Sequence, residues 1–178
     1  MKYNIAPKPT YYDGIRFRSR LEATWAAFFD LCRWRWEYEP LDLKGWVPDF
    51  VLHGPEPIAV EVKPVMTFAD FPQSGFDKMN ASGWVGRILI VGTGISTSDQ
   101  KPSIGWLADN RLQVDGPRAD WLPCRFASFA TGDCDIDLAT ETKPRGLIFD
   151  GEFLVSHQSP TVIKRLWNLA SNKTAWRR

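Results

Sequence analysis

The sequence predicts an α/β protein in which a mixed central β-sheet is flanked by helices. Apolar residues recur at helical spacing from residue 20 to about residue 33. Two apolar runs, at 47–52 and 58–62, flank a loop rich in Gly and Pro, which is typical of a β-hairpin. A further apolar run at 87–92 has the length of a buried strand. The order of these segments predicts an α/β core within residues 15–95.

Composition limits the class of protein. The chain has 178 residues, of which 44% are hydrophobic and 24% charged, as expected for one soluble domain with a sizeable core. A net charge of +1 excludes gross attraction to nucleic acid but allows a local basic stripe. No apolar run approaches the ~18 residues of a membrane span, so we expect no membrane contact. Three cysteines without C-x-x-C spacing disfavour a zinc site and favour reduced thiols in a cytoplasmic protein.

The N-terminal elements follow in order. Residues 1–14 are predicted to form an extended arm, because prolines and Gly14 stand among polar groups. Residues 15–18 alternate apolar and basic side chains, as a short strand would. The helix comes next, and Trp36 to Glu39 is predicted as a strand that Pro40 ends. The apolar stripe of that helix consists of Leu21, Trp25, Phe28, Phe29 and Cys32.

The hairpin predicts which side chains face each other. If it is symmetric about Pro55, Asp49 lies opposite Glu61 and Val51 lies opposite Ala59. Because side chains alternate along a strand, the residues divide into two faces. One face carries Asp49, Ala59, Glu61 and Lys63, and the other carries Phe50, Leu52, Val60 and Val62.

The opposed pair predicts a metal site. Two carboxylates with Cβ atoms ~5 Å apart repel each other and would destabilise the sheet. Mg²⁺ would remove this repulsion, since it prefers oxygen ligands and is commonly held by one or two carboxylates. We therefore expect Mg²⁺, with Mn²⁺ as a substitute. Two alternatives stay open: Glu61-Val62-Lys63 on an exposed strand is often only a solvated face, and a one-residue shift of register would place Asp49 and Glu61 on opposite faces.

The rest of the chain is less regular. Residues 69–83 predict a helix that Pro72 and Gly75 interrupt and Gly83 closes. Residues 93–143 predict short strands and loops that extend the sheet, and two apolar runs at 147–149 and 153–155 flank an Asp150-Gly151 turn. Ser159 or Thr161 is predicted to cap a final helix, with Pro160 in its first turn. The division is then an arm (1–14), a core (15–95), a β-rich extension (96–158), and a C-terminal helix with a basic tail (159–178).

Glu22 has two interpretations. It is the last residue of Ser19-Arg20-Leu21-Glu22, which is a capping-box pattern at a helix start. It also precedes the apolar stripe and could point along the sheet toward Asp49. The two roles are only partly compatible, because a carboxylate bound to a backbone N–H has less freedom to reach a metal.

Four motifs together resemble a known nuclease superfamily. They occur in the order Phe17-Arg18-Ser19-Arg20-Leu21-Glu22-Ala23, Glu37-Tyr38-Glu39-Pro40, Pro48-Asp49-Phe50 and Glu61-Val62-Lys63. This order is similar to that of the PD-(D/E)XK nucleases, in particular small phage and bacterial members related to the end-cutting endonuclease subunits of heteromeric transposases. The resemblance covers roughly residues 10–95 and implies a restriction-endonuclease-like core.

The resemblance also implies roles for individual residues. Asp49 and Glu61 would ligate Mg²⁺, Glu22 would assist as a third acid, and Lys63 would act near the attacking water. The reaction implied is hydrolysis of a phosphodiester bond in DNA, in junction or end cleavage. The basic residues that could hold flanking phosphates are Arg16, Arg18, Arg20, Lys173 and Arg177.

Several alternatives remain at the level of sequence. The same fold could carry a catalytically idle nucleic-acid-binding or protein-interaction module, because function belongs to the site and not to the scaffold. An RNA-processing nuclease would use the same chemistry. A homodimer and phage or transposition partner proteins are also compatible with the resemblance.

Overall fold

The protein is an α/β protein built on a mixed sheet. The computed structural model describes residues 8–54, 56–98, 101–109, 121–129, 137–140, 155–156 and 160–175. The helices are α1 (Arg20–Leu31), α2 (Gln73–Ala81) and α3 (Pro160–Lys173), with a short 3-10 helix at Phe68–Asp70. The strands are β1 (Thr10–Tyr12), β2 (Ile15–Phe17), β3 (Arg35–Tyr38), β4 (Phe50–His53), β5 (Ile58–Val62), β6 (Arg87–Val91), β7 (Ser96–Ser98), β8 (Lys101–Asp109), β9 (Leu122–Phe129), β10 (Asp137–Thr140) and β11 (Val155–Ser156).

The central sheet has the order β10-β9-β8-β6-β5-β4-β3, with β7 paired to β8 and β11 paired to β9. Neighbouring strands are antiparallel except β5 and β6, which run parallel. A parallel pair needs a crossover connection, and the 3-10 helix and α2 supply it. The parallel β5–β6 pair lies inside the sheet, with further strands on both sides.

Apolar side chains cover both faces of the sheet. On one face α1 and α3 pack over residues such as Phe50, Val60 and Leu89. On the other face α2 packs through Phe76 and Met79. The alternation along β4 and β5 sends consecutive side chains to opposite cores, which gives a helix–sheet–helix layering.

The register predicted for the hairpin is confirmed. Phe50 pairs with Val60, Val51 with Ala59, and Leu52 with Ile58. The strand β4 is shorter than the predicted run 47–52, since regular pairing starts only at Phe50. Asp49 therefore sits at the last position before the strand, where its side chain is not confined to the pleat.

A second hairpin lies in the region predicted as an arm. Thr10–Tyr12 pairs antiparallel with Ile15–Phe17. The connecting residues Asp13 and Gly14 have φ values of 46° and 77°. A two-residue Asp-Gly loop with both residues at positive φ is a type I′ turn, which fits the twist of a hairpin.

The helix predicted for residues 69–83 is divided at Pro72. Pro72 is the N-cap of α2, and the 3-10 helix precedes it. Gly75 lies inside α2 and does not interrupt it. A Cβ atom at this position would come within 2.6 Å of the Phe71 ring, so the packing of Phe71 requires a residue without a side chain. Gly83 follows the C-cap with a φ of 79°, as predicted for a closing glycine.

The later elements extend the sheet, as predicted for residues 93–143, through β7 to β10. The Asp150-Gly151 turn lies outside the described residues. Helix α3 starts at Pro160, so Thr161 lies within the helix and is not its cap. None of the helices in the described ranges has the length and apolarity of a membrane span.

Candidate functional site

The three acidic residues predicted for the site are all buried. Their exposed fractions are 8% for Glu22, 3% for Asp49 and 7% for Glu61. They stand at the start of α1, immediately before β4, and near the end of β5. Burial of a carboxylate is costly unless the group is hydrogen-bonded and paired with a positive charge. The contacts of each oxygen therefore define what the site can do.

Asp49 has one fixed contact and one charged contact. Its Oδ2 atom accepts a hydrogen bond of 2.7 Å from the backbone N–H of Val62. Its Oδ1 atom accepts from Arg18 Nη2 at 2.5 Å. The N–H belongs to the rigid partner strand, whereas the Arg18 side chain is 58% exposed. One oxygen is thus held by the sheet and the other by a solvent-accessible cation.

Glu61 repeats this arrangement. Its Oε2 atom accepts a hydrogen bond of 2.7 Å from the indole N–H of Trp46, which is buried. Its Oε1 atom accepts from the ammonium group of Lys63, whose side chain is 35% exposed. Lys63 directly follows β5, and its contact with Glu61, two residues earlier, shows that the two side chains point to the same side, as the alternation predicted.

The two carboxylates therefore present similar pairs of oxygens. In each, a neutral backbone or indole N–H orients one oxygen, and a solvent-accessible cation compensates the other. A ligand with positive charge could replace this cation without disturbing the orienting bond. Asp49 Oδ1 and Glu61 Oε1 are the atoms at which such an exchange would occur.

The electrostatics of Asp49 fit this description. Burial, and then the charge of Glu61, raise the pKa of Asp49 to about 7. The Val62 N–H and the Lys63 charge act in the opposite direction, and the close contact with Arg18 also favours the ionised form. Burial therefore favours the neutral form of this carboxyl group more than in an exposed aspartate, and a cation bound beside it would favour the charged form.

Glu22 is committed to bonds at the helix start. Ser19 caps α1 by accepting from the Glu22 N–H at 3.2 Å. In return Glu22 Oε1 accepts from Ser19 Oγ at 2.7 Å, and Oε2 accepts from Tyr38 Oη at 2.6 Å and from the Arg18 N–H at 3.2 Å. The reciprocal bond of a capping box would go to the Ser19 N–H, so the arrangement here is a variant shifted by one residue.

Tyr38 ties this group to β3. Its hydroxyl donates to Glu22 and accepts from the Arg18 N–H at 3.1 Å. Burial and the bond to Glu22 raise the pKa of Tyr38 above its usual range. The phenol therefore stays neutral and fixes the position of Glu22 relative to the sheet.

Glu39 belongs to the same charged group, and the sequence analysis did not assign it a role. Arg18 Nη2 lies 2.7 Å from Glu39 Oε1. The Glu39 backbone has a φ of 47° and donates its N–H to the Asp49 carbonyl at 3.0 Å. A left-handed conformation is uncommon outside glycine and indicates a constraint from the surroundings. The only signal in the sequence is its place in Glu37-Tyr38-Glu39-Pro40.

Trp46 was also missed as part of the site. It follows a tight turn in which Leu43 and Trp46 exchange backbone hydrogen bonds and Gly45 has a φ of 73°. This turn places the indole against Glu61. A tryptophan carries no local signal for such a bond, because its partner is decided by the pairing of β4 with β5.

The predicted basic residues that the structure describes lie on or next to β2, in α1 and in α3. Arg18 contacts the carboxylates, and Arg16 is exposed on β2. Arg20 donates to the carbonyl oxygen of Ser171 at 3.2 Å, near the end of α3. Lys173 is exposed in the last turn of α3. Arg177 lies outside the described residues.

The donor atoms suit Mg²⁺ or Mn²⁺, although the predicted set of three acids is not assembled. Within the described ranges, no three His, Cys, Asp or Glu side chains are grouped so that they could hold one ion. Glu22 is turned toward Ser19 and Tyr38. Asp49 and Glu61 remain as a pair of hard oxygen donors, which is within the usual number of carboxylates for Mg²⁺.

Comparison with protein-family models, with curated proteins and with solved structures finds no match for this chain.

Proposed function

We propose that this protein is a metal-dependent endonuclease that hydrolyses phosphodiester bonds in DNA, on a restriction-endonuclease-like core. The observation that carries the proposal is the pair Asp49 and Glu61. Both are buried, and each has one oxygen fixed by a neutral donor and one paired with a solvent-accessible cation. The order of the motifs from Glu22 to Lys63 supports the same assignment, through its resemblance to the PD-(D/E)XK nucleases.

Mg²⁺ held by Asp49 and Glu61 would supply positive charge to the scissile phosphate and lower the pKa of the attacking water. The rigid donors keep the carboxylates in place: the Val62 N–H orients Asp49 and the Trp46 indole orients Glu61. Lys63 would place its ammonium group beside the phosphate once it leaves Glu61. This use of pre-oriented charge is the usual way in which enzymes stabilise the transition state of phosphoryl transfer.

Arg18 would have a double role. It neutralises Asp49 and Glu39 in the protein alone. When it leaves Asp49, its guanidinium group would be free to contact a phosphate, since Arg matches the geometry of phosphate oxygens. Glu22 and Tyr38 would act as positioning residues that hold the start of α1 against β3.

A second candidate is a catalytically idle module that binds nucleic acid or another protein. One observation favours it: Glu22, Asp49 and Glu61 each have polar partners within the protein on both oxygens. Such a cluster is complete without a metal and could be purely structural. Cleavage of RNA would instead use the same residues on a different substrate.

The deciding experiment is a cleavage assay on supercoiled, linear and branched DNA with Mg²⁺ or Mn²⁺. We expect cleavage that EDTA abolishes and that Asp49→Asn, Glu61→Gln and Lys63→Met each remove. Asp42→Asn is the matched control, because this carboxylate is exposed.

Undiminished cleavage in EDTA, or full activity of the Asp49 and Glu61 variants, would overturn the mechanism. Tight DNA binding without cleavage under any metal would favour the idle module. Cleavage of RNA but not DNA would move the assignment to an RNA-processing nuclease.

A further inference from the structure

The exposed face of α3 carries basic and amide side chains and no acidic ones. The residues of the helix are PTVIKRLWNLASNK, without Asp or Glu. Lys164, Arg165, Asn168 and Asn172 are all exposed and line a shallow groove of about 420 Å³ together with Thr161 and Leu169. Neither Lys164 nor Arg165 forms an ion pair among the described residues. In a chain whose net charge is +1, this is a local concentration of positive charge.

The polar row follows the helix axis. Lys164, Asn168 and Asn172 are four residues apart, so they lie above one another and span ~12 Å. Lysine, arginine and asparagine side chains are among the groups that contact phosphate oxygens in protein–DNA interfaces. The spacing thus presents a continuous line of donors and not a single charged spot.

The C-terminal end of α3 lies close to the end of α1 that contributes Glu22 to the carboxylate cluster, which consists of Glu22, Asp49 and Glu61. Thr24 Oγ1 and Thr174 Oγ1 are 2.7 Å apart, and Arg20 bonds to Ser171, so the C-terminal end of α3 lies beside the N-terminal end of α1. That end of α1 carries Glu22. Farther along, Trp167 contacts Trp25 with ring centroids 4.6 Å apart, which fixes an antiparallel arrangement of the two helices.

The one aromatic residue of α3 is turned away from the groove. Trp167 packs against Trp25 and Phe28. Binding of single strands normally depends on exposed aromatic rings on which bases stack. Within helix α3, the exposed face has phosphate-binding donors and no aromatic ring, which suits the backbone of a duplex.

We propose that the exposed face of α3, through Lys164, Arg165, Asn168 and Asn172, binds the phosphate backbone of duplex DNA and directs it to the carboxylate cluster. The proposal rests on the proposed function for the identity of the substrate. It adds the surface that holds this substrate and the form in which it is bound.

The test is fluorescence anisotropy with the full-length protein and a short labelled DNA duplex, in EDTA so that no cleavage occurs. The double variant Lys164→Ala/Arg165→Ala should raise Kd between roughly tenfold and a hundredfold at about 0.1 M salt, because each lost phosphate contact removes a slope of about 0.9 from the plot of log K against log salt. That slope should decrease by about 2. Lys78→Ala, an exposed lysine on α2 on the opposite side of the sheet, should leave both quantities unchanged.

Three results would overturn the proposal: no binding of the duplex by the wild type, equal binding and salt slope in the double variant, or an effect confined to single-stranded DNA or to an RNA duplex. Circular dichroism of the double variant checks that α3 remains folded, and the charge-retaining pair Lys164→Arg/Arg165→Lys should bind nearly as the wild type. If the duplex binds through α3 but no metal produces cleavage, the proposed function fails and this inference stands. If cleavage occurs and the double variant binds and cleaves as the wild type, the inference fails and the proposed function stands.

Discussion

The carboxylate cluster and the exposed face of α3 both concentrate charge, but they differ in how that charge is satisfied. In the cluster, Asp49 and Glu61 are buried and every carboxylate oxygen has a partner in the protein. On α3, Lys164 and Arg165 are exposed and have no ion-pair partner among the described residues. A buried charge must be paired within the protein, so the fold fixes the positions of its partners. An exposed charge is left available for a ligand.

The largest effect is expected for the two predicted metal ligands, whose substitution should reduce cleavage without weakening DNA binding. Asp49→Asn and Glu61→Gln should each reduce Mg²⁺-dependent cleavage by more than roughly 10²-fold, because even the outer partners of metal ligands are worth about 10–100-fold. Both variants should bind duplex DNA in EDTA at least as tightly as the wild type, since each removes a negative charge. Cleavage rates and anisotropy on the same preparations check this.

The stability of these variants tests the same comparison. In metal-free buffer they should unfold at the same temperature as the wild type or a higher one, because an amide still accepts the orienting bond while the mutual repulsion is relieved. A clear loss of stability in both would mean that the carboxylates are structural, and would place the cluster with the second candidate function.

The next effect is the dependence of stability on pH. The pKa of Asp49 is raised to about 7 in the folded protein from an ordinary value of 3.8. Between these two values the native state binds more protons than the unfolded state, so the free energy of unfolding should fall as pH rises from about 4 to about 7. Urea titrations without metal at several pH values measure it, and Asp49→Asn should flatten the curve over this interval.

The affinity for metal should change with pH in the direction opposite to the free energy of unfolding. Because a cation competes with the proton on Asp49, Mn²⁺ affinity measured by calorimetry should increase with pH over the same interval. An affinity independent of pH would mean that Asp49 is already fully ionised by Arg18, or that it is not a ligand.

A smaller effect concerns the start of α1. Ser19→Ala removes the cap that accepts from the Glu22 N–H and should cost on the order of 1 kcal/mol of stability. Glu22→Gln should lower cleavage far less than Asp49→Asn, because Glu22 is engaged by Ser19, Tyr38 and Arg18. Thermal unfolding and cleavage rates distinguish the two. Severe loss of cleavage in Glu22→Gln at unchanged stability would restore Glu22 as a third metal ligand.

The smallest effect expected is at Arg18. Arg18→Gln removes the cation that occupies Asp49 Oδ1, so Mn²⁺ should bind more tightly by roughly two- to fivefold, since an ion pair with an exposed cation is worth about 0.2–1 kcal/mol. Arg18→Lys, which retains the charge, is the control. Calorimetry with Mn²⁺ gives the result directly, and weaker binding in Arg18→Gln would show that Arg18 organises the cluster and does not compete for it.

The sequence by itself determined the local features of this protein. The symmetric placement of two apolar runs around a Gly/Pro-rich loop predicted the pairing of Val51 with Ala59, which the structure contains. Ser19 and the apolar stripe were enough to place the start of α1 at Arg20. The Asp13-Gly14 turn could have been recognised as well, since that dipeptide is a hairpin signal.

Only the tertiary structure decided which partner each charged or polar side chain contacts. Arg18 meets Asp49 across 31 residues, and Arg20 meets Ser171 across 151. The bond from Trp46 to Glu61 and the left-handed backbone of Glu39 likewise depend on how β3, β4 and β5 are packed together. Local spacing does not encode such contacts, because they form between side chains that the chain brings together only after its helices have packed on the sheet. The sequence identifies the charged residues, but the packing of the helices on the sheet determines the partner of each one.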